Sequence, residues 1–288
     1  LKGGKEVFNM ARYGLAIDLN FCTGCYNCQI ACKDEHVGND FLPISKSQPT
    51  FGHFWMGIKE IERVYSPSHI KVVYIPILCQ HCANAPCMEV AKDNAVYRRR
   101  DGIVIIDPIR SVGQKEILEA CPYRAIYWNE ELNIPQKCTF CVHLLEDGWK
   151  EPRCVQSCPT NCMVFGDLDN PNSKISKFLR EKKGEILNPE LNTKPNVYYV
   201  GLPKPHLSGT VVFGDVDECG RDVKVTLIDN KGKKRKTKTD FFGDFEFDGL
   251  EKKTYILQFE VKGYETKSIE INMKDDLCYV GDVILNKA

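Results

Sequence analysis

The chain has 288 residues, 43% of them hydrophobic, and its 39 Lys and Arg balance its 39 Asp and Glu, as expected of a soluble globular protein of two domains. Its longest apolar stretches, Gly102 to Ile106 and Val72 to Leu78, have strand length and fall far short of a bilayer span, so no segment is expected to cross a membrane. The opening LKGGKEVFNMARYGLAIDLNFC has neither the apolar core of a signal peptide nor a twin-arginine start, so a cytoplasmic location is expected unless the chain travels folded on a partner that carries a signal.

Tyr13 to Asp18 reads as a short strand entering the run Cys22, Cys25, Cys28 and Cys32, with Gly24 allowing a close backbone wrap. Gln29 to His36 reads as a short helix. The same grammar returns at Lys71 to Leu78, which leads into Cys79, Cys82 and Cys87, and NAVYRRRDGIVIID then reads as a hairpin turning at Asp101 and Gly102. Gln114 to Ala120 reads as a helix ending at Cys121, which Pro122 follows. AIYWNEELNIPQKC supplies another strand and turn before Cys138, Cys141, Cys154 and Cys158, the last followed by Pro159.

Residues 171 to about 205 change character, with an amphipathic helix near Ile175 to Lys183 and then an extended linker with spaced prolines. From about Leu207 the sequence alternates apolar and polar residues between regular turns, the pattern of an all-β sandwich. Its seven strands are placed near TVVFGDV, VKVTLID, KRKTKTD, DFEFDGL, TYILQFEVKG, TKSIEINM and YVGDVIL. No catalytic His or carboxylate constellation stands out there, so this part reads as a docking or stabilising module. The basic run Lys231 to Lys238 reads as a solvated hairpin and edge that discourages strand pairing rather than as a site for an anionic partner. Arg98 to Arg100, on a hairpin, is read in a similar way.

The cysteines carry the chemistry. A C-x2-C-x2-C-x3-C run sends its fourth cysteine to the other cluster of a bicluster ferredoxin, so the first run needs a second half, which the run ending Cys158-Pro159 supplies. Cys22, Cys25, Cys28 and Cys158 then form one ligand set for a [4Fe-4S] cluster, and Cys32, Cys138, Cys141 and Cys154 a second. Cys79, Cys82 and Cys87 with Cys121 close a third. Extending the same spacing puts Ala91, Ser111, Gln114 and Ile117 where a fourth cluster's ligands belong. Ala91 and Ile117 offer no lone pair, so that space is expected to be filled by side chains.

Disulfides suit short secreted chains better than C-x-x-C steps this tight, and a zinc site does not explain triplets answered by a distant Cys-Pro. Of the remaining cysteines, Cys162 reads as a small buried hydrophobe beside Met163, Val164 and Phe165, and Cys219 and Cys278 as unpaired thiols. His81 and His143 lie near ligands and read as packing residues first and tuners of a cluster second. Tyr26, Tyr123 and Trp128 read as shields against water. Three oxidised cubanes, at about −2 each, bring the loaded chain to roughly −6, which argues against nucleic acid as a partner. The expected fold is α+β: two interleaved bicluster-ferredoxin-like units in residues 1–170, a helix and linker in 171–205, and a seven-stranded all-β (Ig/transthyretin-like) sandwich in 206–288. Folding of the first part is expected to depend on cluster insertion.

Over about residues 11 to 170 the pattern Cys22-x2-Cys25-x2-Cys28-x3-Cys32, Cys79-x2-Cys82-x4-Cys87, Cys121-Pro122-Tyr123 and Cys138-x2-Cys141-x12-Cys154-x3-Cys158-Pro159 resembles the ferredoxin-type subunits of molybdopterin oxidoreductases of the dimethyl sulfoxide reductase class. Members usually hold four clusters. The substituted fourth-cluster positions, CKDEH at Cys32, CPYRAIYWNEE at Cys121 and TDFFGDFEFDGL in the C-terminal part look most like members that act on phenolic aromatics. The resemblance implies a large catalytic partner with molybdenum, or tungsten, on two pyranopterin guanine dinucleotides, where hydroxyl transfer, hydroxylation or dehydroxylation takes place, and it leaves open a higher oligomer of the heterodimer. This chain would then move electrons with no catalytic residues of its own. Two other readings stand beside it: an electron-transfer subunit for an unrelated oxyanion or sulfoxide, and a free polyferredoxin with an adhesive β domain.

Overall fold

The computed structural model describes residues 11–66 and 69–288. By packing, the chain divides into two units, one comprising the residues up to Glu60 with Tyr74–Leu202 and the other Ile61–Val73 with Pro203–Ala288.

The first unit is organised by a three-stranded sheet whose central strand, Tyr13–Asp18, lies between Met163–Asp167 and Val197–Val200. It runs antiparallel to the former, pairing Tyr13 with Asp167 and Ile17 with Met163, and parallel to the latter, pairing Leu15 with Val197. Leu15, Ala16 and Ile17 are all fully buried, as expected of a strand covered on both faces. The stretch read as an extended linker therefore supplies a core strand, VYYV, which is too short and too uniformly apolar to show a period. The helix Lys174–Lys182 covers this sheet, its N-terminus capped by the Ser173 hydroxyl, which accepts from the Ser176 N–H at 3.1 Å. Ile175 is fully buried, and a Cβ added to Gly166 would stand 3.3 Å from its Cγ2, so the glycine sets how close helix and strand come.

Around this frame the chain forms small elements separated by cysteine loops. The hairpins Val96–Arg98 with Val104–Ile106 and Ile126–Asn129 with Ile134–Lys137 lie where the sequence places them. Five short helices accompany them: Asn27–His36, Pro86–Val90, Glu116–Glu119, Val142–Glu146 and Arg153–Gln156. The helix expected over Gln114 to Ala120 is only four residues long, because Gln114 is used as a brace: its amide takes the Lys92 N–H at 2.9 Å and donates to the Arg110 carbonyl at 2.8 Å. The paired strands Met56–Ser66 and His69–Leu78 extend the expected Lys71–Leu78 strand into a longer pair. The middle portion of that pair belongs to the second unit, where Arg63 is bonded to Asp248 and the Ser208 hydroxyl donates to the Val64 carbonyl at 2.8 Å.

The second unit has two four-stranded sheets. In one, His206–Phe213 is flanked on one edge by Glu218–Cys219 and Asp244–Phe247 and on the other by the parallel strand Leu277–Leu285. In the other, the order is Lys234–Lys238, Lys224–Asp229, Thr254–Glu260, Lys267–Asn272. Both contribute to one core, with Leu207, Val211, Phe245 and Val283 from the first meeting Val225, Leu227, Leu257 and Phe259 from the second. The alternation is clean in Thr254–Glu260, where Tyr255, Leu257 and Phe259 are buried and Ile256 is exposed. The basic run ends in an edge strand of exposed lysines, a defence against further pairing. Cys219 and Cys278 are free thiols on opposite sides of the same central strand.

Candidate metal centres

Each C-x-x-C loop is built on one backbone device. The residue before its second cysteine, Gly24, His81 or Phe140, has a positive φ of 65°, 44° or 52°. A left-handed residue turns successive N–H groups to one side and makes a concave nest for an anion. The His81 N–H lies 3.4 Å from the Cys79 sulfur and the Phe140 N–H 3.4 Å from that of Cys138, and the Gly24 N–H bonds to Cys22 in the same way. Positive φ is costly for His and Phe, so its recurrence at equivalent positions marks a shared task. The two Cys-Pro loops repeat a second device, with Arg124 at φ 52° and Asn161 at φ 51°. The Tyr123 and Ala125 N–H groups there face Cys121, and those of Thr160 and Cys162 face Cys158.

The thiols these loops present lie within electrostatic reach of one another. Burial pushes the Cys28 thiol up to about 12, helped by Cys22, Cys158 and Cys25. Cys32 and Cys154 are buried and pushed well above the ordinary range, first by burial and then by Cys138 and Cys141. Burial, followed by Cys79, takes Cys82 and Cys87 up to about 12, with Cys121 as a further neighbour of each. Cys28 also faces Cys32 and Cys154, and Cys79 faces Cys138, so the three gatherings follow one another with the Cys32 gathering in the middle. Close, buried thiols whose thiolates would repel one another resist ionisation unless a cation neutralises them, and this donor set suits the iron core of a cubane bound through four thiolates. Among the described residues no three His, Cys, Asp or Glu converge on a point as ligands of a single ion do.

Side chains around the middle gathering are ordered by a carboxylate. Glu35 stands 3.0 Å from the His143 Nε2 and 3.3 Å from the Arg153 Nε, and Phe41 stacks on His143 at 3.6 Å. His36, which sequence reasoning did not single out, is buried with its Nε2 3.9 Å from the Cys141 sulfur. Burial drives it down to about 3 and keeps it neutral. His81 is fully buried against Phe140, its Nδ1 accepting the Val104 N–H at 3.1 Å. Tyr123 and Trp128 are partly buried, with the Tyr123 hydroxyl 2.6 Å from that of Thr193 and the Trp128 indole donating to Glu130. Tyr26 is bonded to Glu60 at the surface.

Cys162 differs from its sequence reading. Its sulfur lies 3.5 Å from that of Cys158 and it bonds to Cys22, whose thiol is lowered to about 6 chiefly by that contact. It is buried, as expected, but its neighbours are ligand candidates, and a four-residue offset from Cys158 gave no signal of this. Of the positions where a fourth set would lie, Ile117 is fully buried in an apolar cluster with Val96, Val104, Ile106 and Ile126, against which Ala91 packs. Ser111 is fully buried, and Gln114 is engaged with Lys92 and Arg110.

Residues 70–168 match the family model described as a 4Fe-4S dicluster domain, which makes this an iron–sulfur protein. The pyrogallol hydroxytransferase small subunit of Pelobacter acidigallici is 41% identical over 262 residues, 88% of this chain and 92% of that one. A tetrathionate reductase subunit of Salmonella typhimurium is 37% identical over 193 residues, 66% of this chain and 73% of that one. A sulfite dehydrogenase subunit of Allochromatium vinosum is 32% identical over 251 residues, 84% and 99% of the two. The chain belongs to the iron–sulfur, electron-transfer subunits of the molybdopterin oxidoreductases. No helix among its described residues is long and apolar enough to cross a membrane.

Proposed function

We propose that this chain is the electron-transfer subunit of a molybdopterin enzyme acting on phenolic aromatics, and that it holds three [4Fe-4S] clusters. Cys22, Cys25, Cys28 and Cys158 hold the first, Cys32, Cys138, Cys141 and Cys154 the second, and Cys79, Cys82, Cys87 and Cys121 the third. Ala91, Ser111, Gln114 and Ile117 take the place of a fourth. The substrate class rests on one observation: the match to the pyrogallol hydroxytransferase small subunit, at 41% identity, spans 88% of the chain and so must run on into the C-terminal strands. The C-terminal unit is read as an Ig/transthyretin-like sandwich with a stabilising or docking role.

A cubane passes one electron with little rearrangement, and the protein's part is position and electrostatics. The N–H groups of Gly24, His81 and Phe140 favour charge on the sulfurs they face, and burial excludes water. Cys25 is exposed, and Phe21 and Ile30, which flank it in the sequence, are 58% and 62% exposed. This edge of the first set is where electrons pass to a large partner with molybdenum or tungsten on two pyranopterin guanine dinucleotides. The likeness to the sulfite dehydrogenase subunit over 84% of the chain supports a second reading, in which the partner acts on an inorganic oxyanion.

Anaerobic purification of the native complex tests both. A large partner with one Mo or W, and about 12 Fe in this chain, is expected. Polyhydroxybenzenes are expected to turn over where sulfite and tetrathionate do not. Turnover of sulfite alone would transfer the assignment to the second reading, and a chain recovered alone would end both.

A further inference from the structure

Lys137 ends the strand Ile134–Lys137, is 3% exposed, and immediately precedes Cys138. Its Nζ donates to the carbonyl oxygens of Val104 and, at 3.1 Å, Cys138. Among the described residues no carboxylate lies within ion-pair reach of it. Burying an ammonium without a counter-charge costs several kcal/mol, and carbonyl dipoles supply no net charge. Its two acceptors tie it to two gatherings of cysteines: Cys138 belongs to one, and Val104 lies in a buried apolar cluster with Cys82 and Cys87 of the other, against which Cys121 packs, and donates its N–H to the His81 Nδ1.

We infer that Lys137 is a fixed positive charge shared by the second and third clusters, stabilising the reduced form of each. This rests on the ligand sets proposed above. A loaded oxidised cubane carries about −2 and gains one more negative charge on reduction, so a cation beside two cubanes favours an electron on either. When one electron leaves one cluster and enters the other, the first is oxidised and the second reduced by one unit. Only the electron moves, and no atom is transferred.

The test uses the intact complex, with Lys137→Met removing the charge at similar length and Lys137→Arg keeping it. Iron content and the number of EPR-resolved centres come first, because a wild-type chain without three clusters defeats the ligand assignment rather than this inference. With three clusters present, Lys137→Met is expected to lower the equilibrium constant for one-electron reduction of both the second and third clusters at least tenfold, about 59 mV for a one-electron couple. The first cluster should move less, and Lys137→Arg should leave all three near wild type. Unchanged potentials in Lys137→Met, or a shift in only one cluster, would overturn the inference. Should Lys137→Met fail to take up iron, Lys137→Gln retains a donor for the Val104 carbonyl without the charge, and wild-type potentials in that variant would overturn it equally.

Discussion

The sulfurs of Cys158 and Cys162 stand 3.5 Å apart, with a proposed ligand and an unassigned thiol side by side in one buried loop. A spare thiol at that distance can take over a corner of a cluster with little backbone movement. Cys158→Ala is expected to keep its full iron through Cys162, whereas Cys158→Ala combined with Cys162→Ala should lose about four Fe per chain. Iron analysis of the two variants decides it, and equal loss in both would remove Cys162 from any reserve role.

Gly24 combines a φ of +65° with a close neighbour, since a Cβ there would lie 2.5 Å from the Tyr74 ring. Gly24→Ala adds a left-handed penalty of roughly 1–2 kcal/mol to that clash. The first loop is expected to lose its cluster preferentially, seen as the disappearance of one EPR centre with the other two retained.

Leu257 is fully buried in the core of the second unit. Leu257→Ala is expected to cost that unit about 2–5 kcal/mol. Hydrogen exchange should rise in Lys224–Asp229 and Thr254–Glu260, while the iron content stays at its wild-type value.

His206, buried at the start of its strand, is held below its ordinary range by burial and then by Arg63, with Asp248 opposing. The unfolded chain takes up a proton near pH 6.5 where the folded chain does not. The stability this confers is therefore full above about pH 6.5 and is lost as pH falls from there toward the folded value. Exchange of the amides in His206–Phe213, corrected for its intrinsic rate, should accelerate between about pH 7.5 and 5.5, and His206→Gln should flatten that slope. An equal slope in the variant would assign the effect elsewhere.

Much of this was legible in the sequence because it rests on spacing. Short offsets between cysteines survive folding as loop geometry, and the period-two pattern of TYILQFE survives as a half-buried strand. What could not be read depends on partners distant along the chain. VYYV becomes a core strand only because Tyr13–Asp18 has a free edge for it, and Lys137 is distinguished from other lysines only by the carbonyl of Val104, which another hairpin supplies. Cys162 points toward ligand candidates rather than into the apolar residues that follow it, a choice of side that a lone cysteine at the entrance of a strand does not encode.

The strand Tyr13–Asp18 lies between two partners that follow it by some 150 and 180 residues, Met163–Asp167 and Val197–Val200. Contacts so far apart along the chain form late and slowly. On a ribosome the first cysteine run therefore emerges long before its sheet can close, and it must wait, unsupported and reduced, until the chain has been made past Val200. Maturation of this protein is in that sense a matter of timing, in which synthesis has to outrun oxidation of the earliest thiols.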